Sequence, residues 1–218
     1  MPCLDLCVAV VDYLTPWGRR KQGVASTWLA SLKPGDFVPL LIQRGTLPAV
    51  ATSAAPLVMV GPGTGVASMR AVVQERTALL AGSSRLNAAT PHQLGPATLY
   101  FGCRHAKQDW LYAEDMRTAR VSGSLARYCV AFSRDDPSRV VYVQGLMARE
   151  RDSAELFHAL VHEQGTLYIA GSAKRMPGDV VDTLKGILVA VGGATRSEAD
   201  AYVAAMERDH RLVIEAWA

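Results

Sequence analysis

Several signals that would assign a protein to a common functional class are absent from this sequence of 218 residues. Its four cysteines form no C-x-x-C pair, which argues against a metal centre and is typical of reduced thiols in a cytosolic protein. No apolar run is long enough for a membrane-spanning helix, and the first residues show no signal-peptide pattern. The net charge is only +3, so we expect a protein that binds neither nucleic acid nor a membrane, and the reduced thiols predict a cytoplasmic location.

Familiar catalytic motifs are also missing. There is no G-x-S-x-G, which excludes the nucleophile turn of an α/β-hydrolase. His158 and His162 stand four residues apart, but the glutamate of H-E-x-x-H is absent between them. A pair of histidines on a helix surface is therefore favoured over a zinc site.

One candidate binding motif is a strand, a glycine turn and a helix between residues 57 and 80. Leu57–Val60 is a short apolar run typical of a buried strand, and three glycines follow at alternate positions before a helical stretch at 66–80. Glycines let a ligand approach the backbone, and a helix N-terminus attracts anions. The spacing is G-x-G-x-G, with no Lys-Ser/Thr behind it, so it matches neither the dinucleotide fingerprint nor a P-loop. Spacing alone does not separate a phosphate seat from a turn that only joins a core strand to a core helix.

The first part of the chain reads differently. Residues 3–14 and 37–42 are β-rich and predict strands, connected through a loop and a short helix for which Ser26 or Thr27 is the expected cap. Strands without long helices indicate part of an antiparallel β layer. Gly23 begins a second glycine-led helix. On this stretch alone, a capped surface helix is favoured over a phosphate-binding site.

A small-residue stretch at 49–55 indicates a boundary that divides the chain into residues 1–51 and 52–218. Beyond it strands and helices alternate, which predicts a Rossmann-like α/β domain with a parallel sheet covered by helices on both faces. A polar segment at 82–95 predicts a mobile surface loop. The expected strands are 57–60, 98–102, 128–132, 166–170 and 212–214, and the expected helices are 66–80, 109–119, 153–163, 177–191 and 197–209.

Polar and basic residues follow the predicted strands. In an open α/β sheet ligands bind at the carboxyl ends of the strands. Any one of these cations alone is best explained as a solvated loop charge, whereas several together suit a phosphorylated nucleotide. The residues expected to converge are Arg104, Ser133, Arg134, Arg139, Tyr142 and Lys174.

Trp217 stands next to the last position of the sequence. An aromatic residue there is either packed in the core or stacked on a planar ligand, and on this stretch alone the core interpretation is favoured.

Together these pieces resemble one known family, the NADPH-dependent diflavin reductases, whose reductase half is built like ferredoxin–NADP reductase. Two stretches, 171–174 and 215–218, look closest to the cytosolic diflavin oxidoreductase branch, which serves iron–sulfur protein assembly. The motifs that carry the resemblance, in the family's order, are Gly61-Pro62-Gly63-Thr64-Gly65-Val66-Ala67, Tyr100-Phe101-Gly102-Cys103-Arg104, Ala131-Phe132-Ser133-Arg134, Val141-Tyr142-Val143-Gln144 and Trp217.

The resemblance implies hydride transfer from NADPH to FAD, with FMN in a separate domain passing electrons to an acceptor such as an iron–sulfur protein. It also implies that residues 1–51 are the end of an FAD-binding antiparallel β-barrel and that 52–218 form the NADP(H)-binding domain. Glu215 and Trp217 would lie at the site of hydride transfer, with Trp217 covering the flavin. The implied cofactor-binding residues are Gly23, Val24, Ala25 and Ser26 for FAD pyrophosphate, Thr64 and Arg104 for NADPH phosphates, Ser133, Arg134, Arg139 and Tyr142 for the 2′-phosphate, and Gln144 and Asp179 to complete the nucleotide site.

The sequence departs from the family pattern at several points. Ala67-Ser68-Met69 stands where Ala-Pro-Phe is usual, and Arg139 lies one position earlier than the usual basic residue. The flavin-holding Arg-x-Tyr/Phe-Ser segment, expected before Cys3, is not seen, so we expect a fragment that binds NADP(H), holds FAD poorly and does not turn over alone. The alternative function is a non-catalytic nucleotide-binding or interaction module. Glu215 and Trp217 favour the enzyme, since a binding module needs neither.

Overall fold

The computed structural model describes residues 4–43, 54–82, 94–136 and 138–217. The chain separates into two compact units, residues 1–45 and 46–218. Most of the predicted boundary at 49–55 and of the predicted loop at 82–95 lies outside the described residues. The assignment of the first unit to an FAD-binding barrel stays a prediction.

The first unit contains an antiparallel pair of short strands and one helix. Strand β1 (Asp12–Leu14) pairs with β2 (Arg20–Gln22), and helix α1 (Val24–Ser31) follows directly. The expected antiparallel pairing is present.

Most of the other elements predicted for this unit were wrong. The strand at 3–14 forms only over its last three residues, β2 lies in the expected loop, and 37–42 has no strand. The strand propensity of these stretches finds no neighbour among the described residues of the unit, and a strand needs one for its backbone hydrogen bonds. Accordingly Phe37 is 97% exposed and Leu41 is 81% exposed.

The second unit is built on a five-stranded parallel sheet, as predicted. The strands are β3 (Leu57–Val60), β4 (Ala97–Cys103), β5 (Arg127–Phe132), β6 (Thr166–Ser172) and β7 (Leu212–Trp217). Their spatial order is β5-β4-β3-β6-β7, and every neighbouring pair is parallel. The chain therefore starts in the middle of the sheet, builds outward to one edge, and then returns to build the other half.

Helices cover both faces of this sheet, because side chains of a strand alternate between its two sides. The helices are α2 (Val66–Leu80), α3 (Ala106–Asp109), α4 (Ala113–Val121), α5 (Val143–Met147), α6 (Glu150–Phe157), α7 (Met176–Ala190) and α8 (Arg196–Arg208). Val58 and Val60 pack into a core that includes α5 to α8, whereas Leu57 and Met59 pack into a second core that includes α2 and α4.

Helix boundaries agree with the prediction where the apolar pattern is continuous, as in α2, and differ where the backbone turns. The helix expected at 109–119 is split into α3 and α4, with Tyr112 before α4 in the left-handed region at φ 54°. The helix expected at 153–163 ends at Phe157 and continues as a π turn over His158–His162.

Candidate functional site

The strand order creates a crevice at the carboxyl edge of the sheet. The chain leaves β3 toward β4 on one side and later returns to place β6 on the other side, so the connections after β3 and β6 run in opposite directions. Ligands of open α/β sheets bind outside the carboxyl ends of the strands at such a switch point.

The glycine turn lies at this switch point. Residues 63–65 form a 3₁₀ turn that runs directly into α2, and Gly63 has φ +57°, which favours glycine. A Cβ on Gly65 would lie 2.0 Å from the carbonyl oxygen of Ala170 on β6. The turn is thus shaped by packing against β6, and in the same position it directs the N-terminus of α2 to the edge where Thr64 lies.

Arg104 and Arg134 lie side by side, as predicted from the strand ends. The backbone N–H of Ser133 donates to Cys103 at 2.9 Å, and that of Arg134 donates to Arg104 at 2.9 Å, so the ladder of β4 and β5 continues into both tails. Within the described ranges, neither guanidinium makes a side-chain hydrogen bond or an ion pair, and both residues are exposed. The Ser133 hydroxyl donates to the Cys103 carbonyl at 3.3 Å.

Tyr142 and Gln144 reach the same edge through α5. Val143 is buried next to Gly102, where a Cβ on the glycine would meet it at 3.0 Å, and this packing holds the start of α5 at the end of β4. Tyr142 is the N-cap residue of α5 and is 55% exposed. The Gln144 amide donates to Asp179, in the first turn of α7, at 3.5 Å.

The other basic residues expected here are also exposed. Arg139 lies between β5 and α5, where its backbone N–H donates to the carbonyl of Asp136. Lys174 follows β6.

Glu215 and Trp217 lie on β7 at the far side of the same edge. They share a face with Val213, which packs against the core covered by α2. The Ser68 hydroxyl, in the first turn of α2, donates to a Glu215 carboxylate oxygen at 3.3 Å. Trp217 is 40% exposed, so it does not fill the core, which the position alone favoured. Sequence reasoning missed the Ser68 contact because 147 residues separate the partners.

The predicted FAD cradle at 23–26 belongs to the first unit. Helix α1 begins at Val24 with Gly23 as N-cap, so the expected capping by Ser26 or Thr27 was wrong. The Ser26 hydroxyl instead accepts a hydrogen bond from the Val11 backbone at 3.0 Å. No described side chain caps this helix, so its first-turn N–H groups, including that of Ala25, lack a capping partner, and such a helix start attracts anions.

The surroundings of Cys103 determine the protonation state of its thiol. Burial, with Asp109 and Asp135 nearby, raises the pKa of the Cys103 thiol to about 11, so the thiol stays protonated at neutral pH.

The ring centres of His158 and His162 lie 5.5 Å apart, and the described residues contain no cluster of three or more potential metal ligands. None of the helices described is both long and apolar enough to cross a bilayer.

The fold and this edge define a dinucleotide-binding α/β domain. Residues 59–182, more than half of the chain, match the family described as the oxidoreductase NAD-binding domain, and the chain belongs to that family.

Individual relatives extend the similarity to almost the whole chain. It is 34% identical to NADPH–cytochrome P450 reductase of Sus scrofa over 98% of this chain and 31% of the relative. It is 36% identical to NADPH-dependent diflavin oxidoreductase 1 of Xenopus laevis over 98% of this chain and 33% of the relative, and 38% identical to that of Bos taurus over 99% and 34%. The resemblance to diflavin reductases is therefore confirmed, and the chain spans about a third of the length of these curated relatives.

Proposed function

We propose that this chain is the NADPH-binding reductase module of a diflavin oxidoreductase, in which residues 52–218 bind NADP(H) and residues 1–51 contribute to the flavin domain. The observation that carries the proposal is one edge of a parallel sheet along which exposed cations, hydroxyls and a helix N-terminus are followed by a carboxylate and an exposed indole. A dinucleotide bound along this edge would place its phosphates beside the cations and its reactive ring beside the carboxylate and the indole.

The adenosine 2′-phosphate belongs at the β5 corner of the edge in this proposal. Arg134 offers a planar pair of N–H donors that matches a phosphate, and the hydroxyls of Ser133 and Tyr142 add neutral donors. Arg139, on the exposed turn before α5, contributes a second charge. A phosphate held this way separates NADPH from NADH.

The pyrophosphate belongs near the switch point, with Thr64 and Arg104 as its side-chain partners. The N–H groups and partial positive charge at the start of α2 favour the same anion. Gln144 and Asp179, which are bonded to each other, border the nucleotide site from α5 and α7.

The nicotinamide belongs at the β6–β7 end. Trp217 presents a ring that can cover a flat aromatic surface and must move aside for the nicotinamide to enter. The Glu215 carboxylate, which accepts a hydrogen bond from the Ser68 hydroxyl, would then lie close to the reacting atoms.

The residues of α1 fit the pyrophosphate of FAD, because the helix begins at a glycine without a capping side chain. Gly23, Val24, Ala25 and Ser26 would hold it through backbone N–H groups. Bound there, FAD would supply the hydride acceptor for NADPH and a route for single electrons to FMN in a separate domain. An iron–sulfur protein of the cytoplasm is the acceptor we propose, on the resemblance of residues 171–174 and 215–218 to the cytosolic branch.

Calorimetric titration of the chain with NADP⁺ and NAD⁺ tests the proposal. NADP⁺ should bind far more tightly, and Arg134→Ala should weaken NADP⁺ binding by about 2 kcal/mol, roughly 30-fold, with little change for NAD⁺. Arg208→Ala, an exposed arginine at the end of α8, is the matched control. An unchanged preference in Arg134→Ala would refute the 2′-phosphate assignment. Full-length protein that fails to reduce ferricyanide with NADPH would favour a binding module over an enzyme.

A further inference from the structure

We propose that Asp135 is a positioning residue: together with His105 it latches the tails of β4 and β5 and so sets the spacing of Arg104 and Arg134. The inference rests on the proposed function, since these two arginines are assigned there to the phosphates of NADP(H). The contacts that form the latch join Asp135 to His105 and Ala106 and lie within this chain.

The Asp135 carboxylate bonds to two groups on the tail of the neighbouring strand. One oxygen lies 3.1 Å from Nδ1 of His105, and the other accepts the backbone N–H of Ala106 at 3.1 Å. His105 directly follows Arg104, and Asp135 directly follows Arg134. Each partner of the latch is therefore adjacent to one of the two arginines.

The latch begins where the sheet ends. The last backbone bond between the two tails runs from the Arg134 N–H to the Arg104 carbonyl at 2.9 Å. Beyond it the Asp135 side chain is the next connection between the two tails among the described residues. Without it, the tails just beyond the last ladder bond would be less restrained, and the entropic cost of ordering both arginines on a ligand would rise.

His105 is itself anchored, so the latch has a fixed end. It is the N-cap residue of α3, its backbone N–H donates to the Asp109 carboxylate at 3.3 Å, and its carbonyl accepts the Asp109 N–H at 2.9 Å. The side chains of His105 and Asp135 are 36% and 40% exposed, so we expect a modest effect rather than an essential one.

The latch contacts of Asp135 and its negative charge predict opposite effects on NADP⁺ binding when the carboxylate is removed. Removing a negative charge beside an anion site should strengthen binding of NADP⁺ if only long-range electrostatics mattered. Removing a latch should weaken it. The neighbouring Asp136 separates the two, because its carboxylate bonds to the N–H and hydroxyl of Ser138, within its own turn, at 2.9 and 2.6 Å.

The experiment is calorimetry of the whole chain with NADP⁺ for Asp135→Ala, Asp135→Asn and Asp136→Ala. We expect Asp135→Ala to weaken NADP⁺ binding about five- to tenfold. Asp135→Asn, which keeps an acceptor oxygen, should lie between this variant and the wild type, and Asp136→Ala should bind as the wild type does or slightly more tightly. An Asp135→Ala protein that binds as tightly as the wild type would overturn the latch.

His105→Ala provides a second approach if Asp135→Ala fails to fold. It removes the ring while the Ala106 N–H remains, and about two- to threefold weaker NADP⁺ binding is expected, with no loss meaning that the latch is wrong. The two proposals fail separately. If Arg134→Ala leaves the NADP⁺ preference intact, the 2′-phosphate assignment of the proposed function fails. If Arg134→Ala loses the preference but Asp135→Ala binds NADP⁺ as Asp136→Ala does, the latch alone is refuted.

Discussion

Arginines occupy both ends of the parallel sheet, and the two ends treat them differently. At the amino ends of the strands, Arg76 donates to the carbonyls of Ser124 and Gly95, and Arg211 donates to those of Leu160 and Gly165. At the carboxyl ends, Arg104 and Arg134 are exposed and bond to no side chain among the described residues. The same side chain supports the fold at one edge and is available to a ligand at the other.

The amino-end pairing extends into the core through Asp152. This buried carboxylate accepts from the Tyr100 hydroxyl at 3.1 Å and from Arg127 at 2.7 Å, and Arg127 also pairs with Glu155. Buried polar groups are stable only when their hydrogen bonds are satisfied. Hydrogen-bond satisfaction therefore separates the structural arginines of this protein from those proposed to bind phosphate.

The largest effect should come from breaking the paired end. Asp152→Ala leaves the fully buried Tyr100 hydroxyl without that acceptor and Arg127 with one carboxylate fewer, so we expect a loss of about 3 kcal/mol in unfolding free energy. Urea denaturation measures it, and Asp136→Ala is the exposed control. NADP⁺ affinity should not change while the protein is folded. A large affinity loss would mean that the two ends are coupled, contrary to the comparison.

A smaller effect concerns pH. Burial raises the pKa of the Tyr128 phenol on β5 to about 12, and the smaller effect of the Trp110 indole N–H acts in the opposite direction. This phenol ionises at pH ~10 in the unfolded chain. Its contribution to the unfolding free energy is therefore complete below that pH and is lost as the pH rises toward 12. Over this pH range the unfolding free energy of Tyr128→Phe should fall by about 1–2 kcal/mol less than that of the wild type. Denaturation at both pH values, with exposed Tyr13→Phe as control, checks it; parallel loss in the wild type and Tyr128→Phe would contradict it.

The smallest effect tests the exposed end. Arg139 lies on an exposed turn, so its contribution to phosphate binding is screened by solvent. Arg139→Ala should weaken NADP⁺ binding several-fold, by about 0.5–1 kcal/mol, with no change in unfolding free energy. Calorimetry in low and high salt measures this, since the difference between wild type and variant should shrink as salt rises. A stability loss comparable to that of Asp152→Ala would place Arg139 among the structural arginines.

Prediction succeeded where local pattern and packing agree. The apolar run at Leu57–Val60 and the helix at Val66–Leu80 were predicted at their observed bounds, because β3 is buried on both faces and α2 starts at the glycine turn. It failed at 37–42, where β propensity meets no neighbouring strand in the described part of the unit. The exposure of Trp217 also went against the interpretation of that stretch alone, since burial depends on what covers a residue.

By itself the sequence determined the alternation of strands and helices, the positions of the polar strand ends and the likeness to diflavin reductases, because each of these is written in local pattern. Only the tertiary structure decided which distant residues meet. Strand order placed Arg104 beside Arg134 and the first turn of α2 beside Glu215, and it brought Asp135 to His105. Periodicity specifies which way a side chain faces, but contacts across a parallel sheet depend on how the chain crosses over, and that is settled by packing of the whole domain.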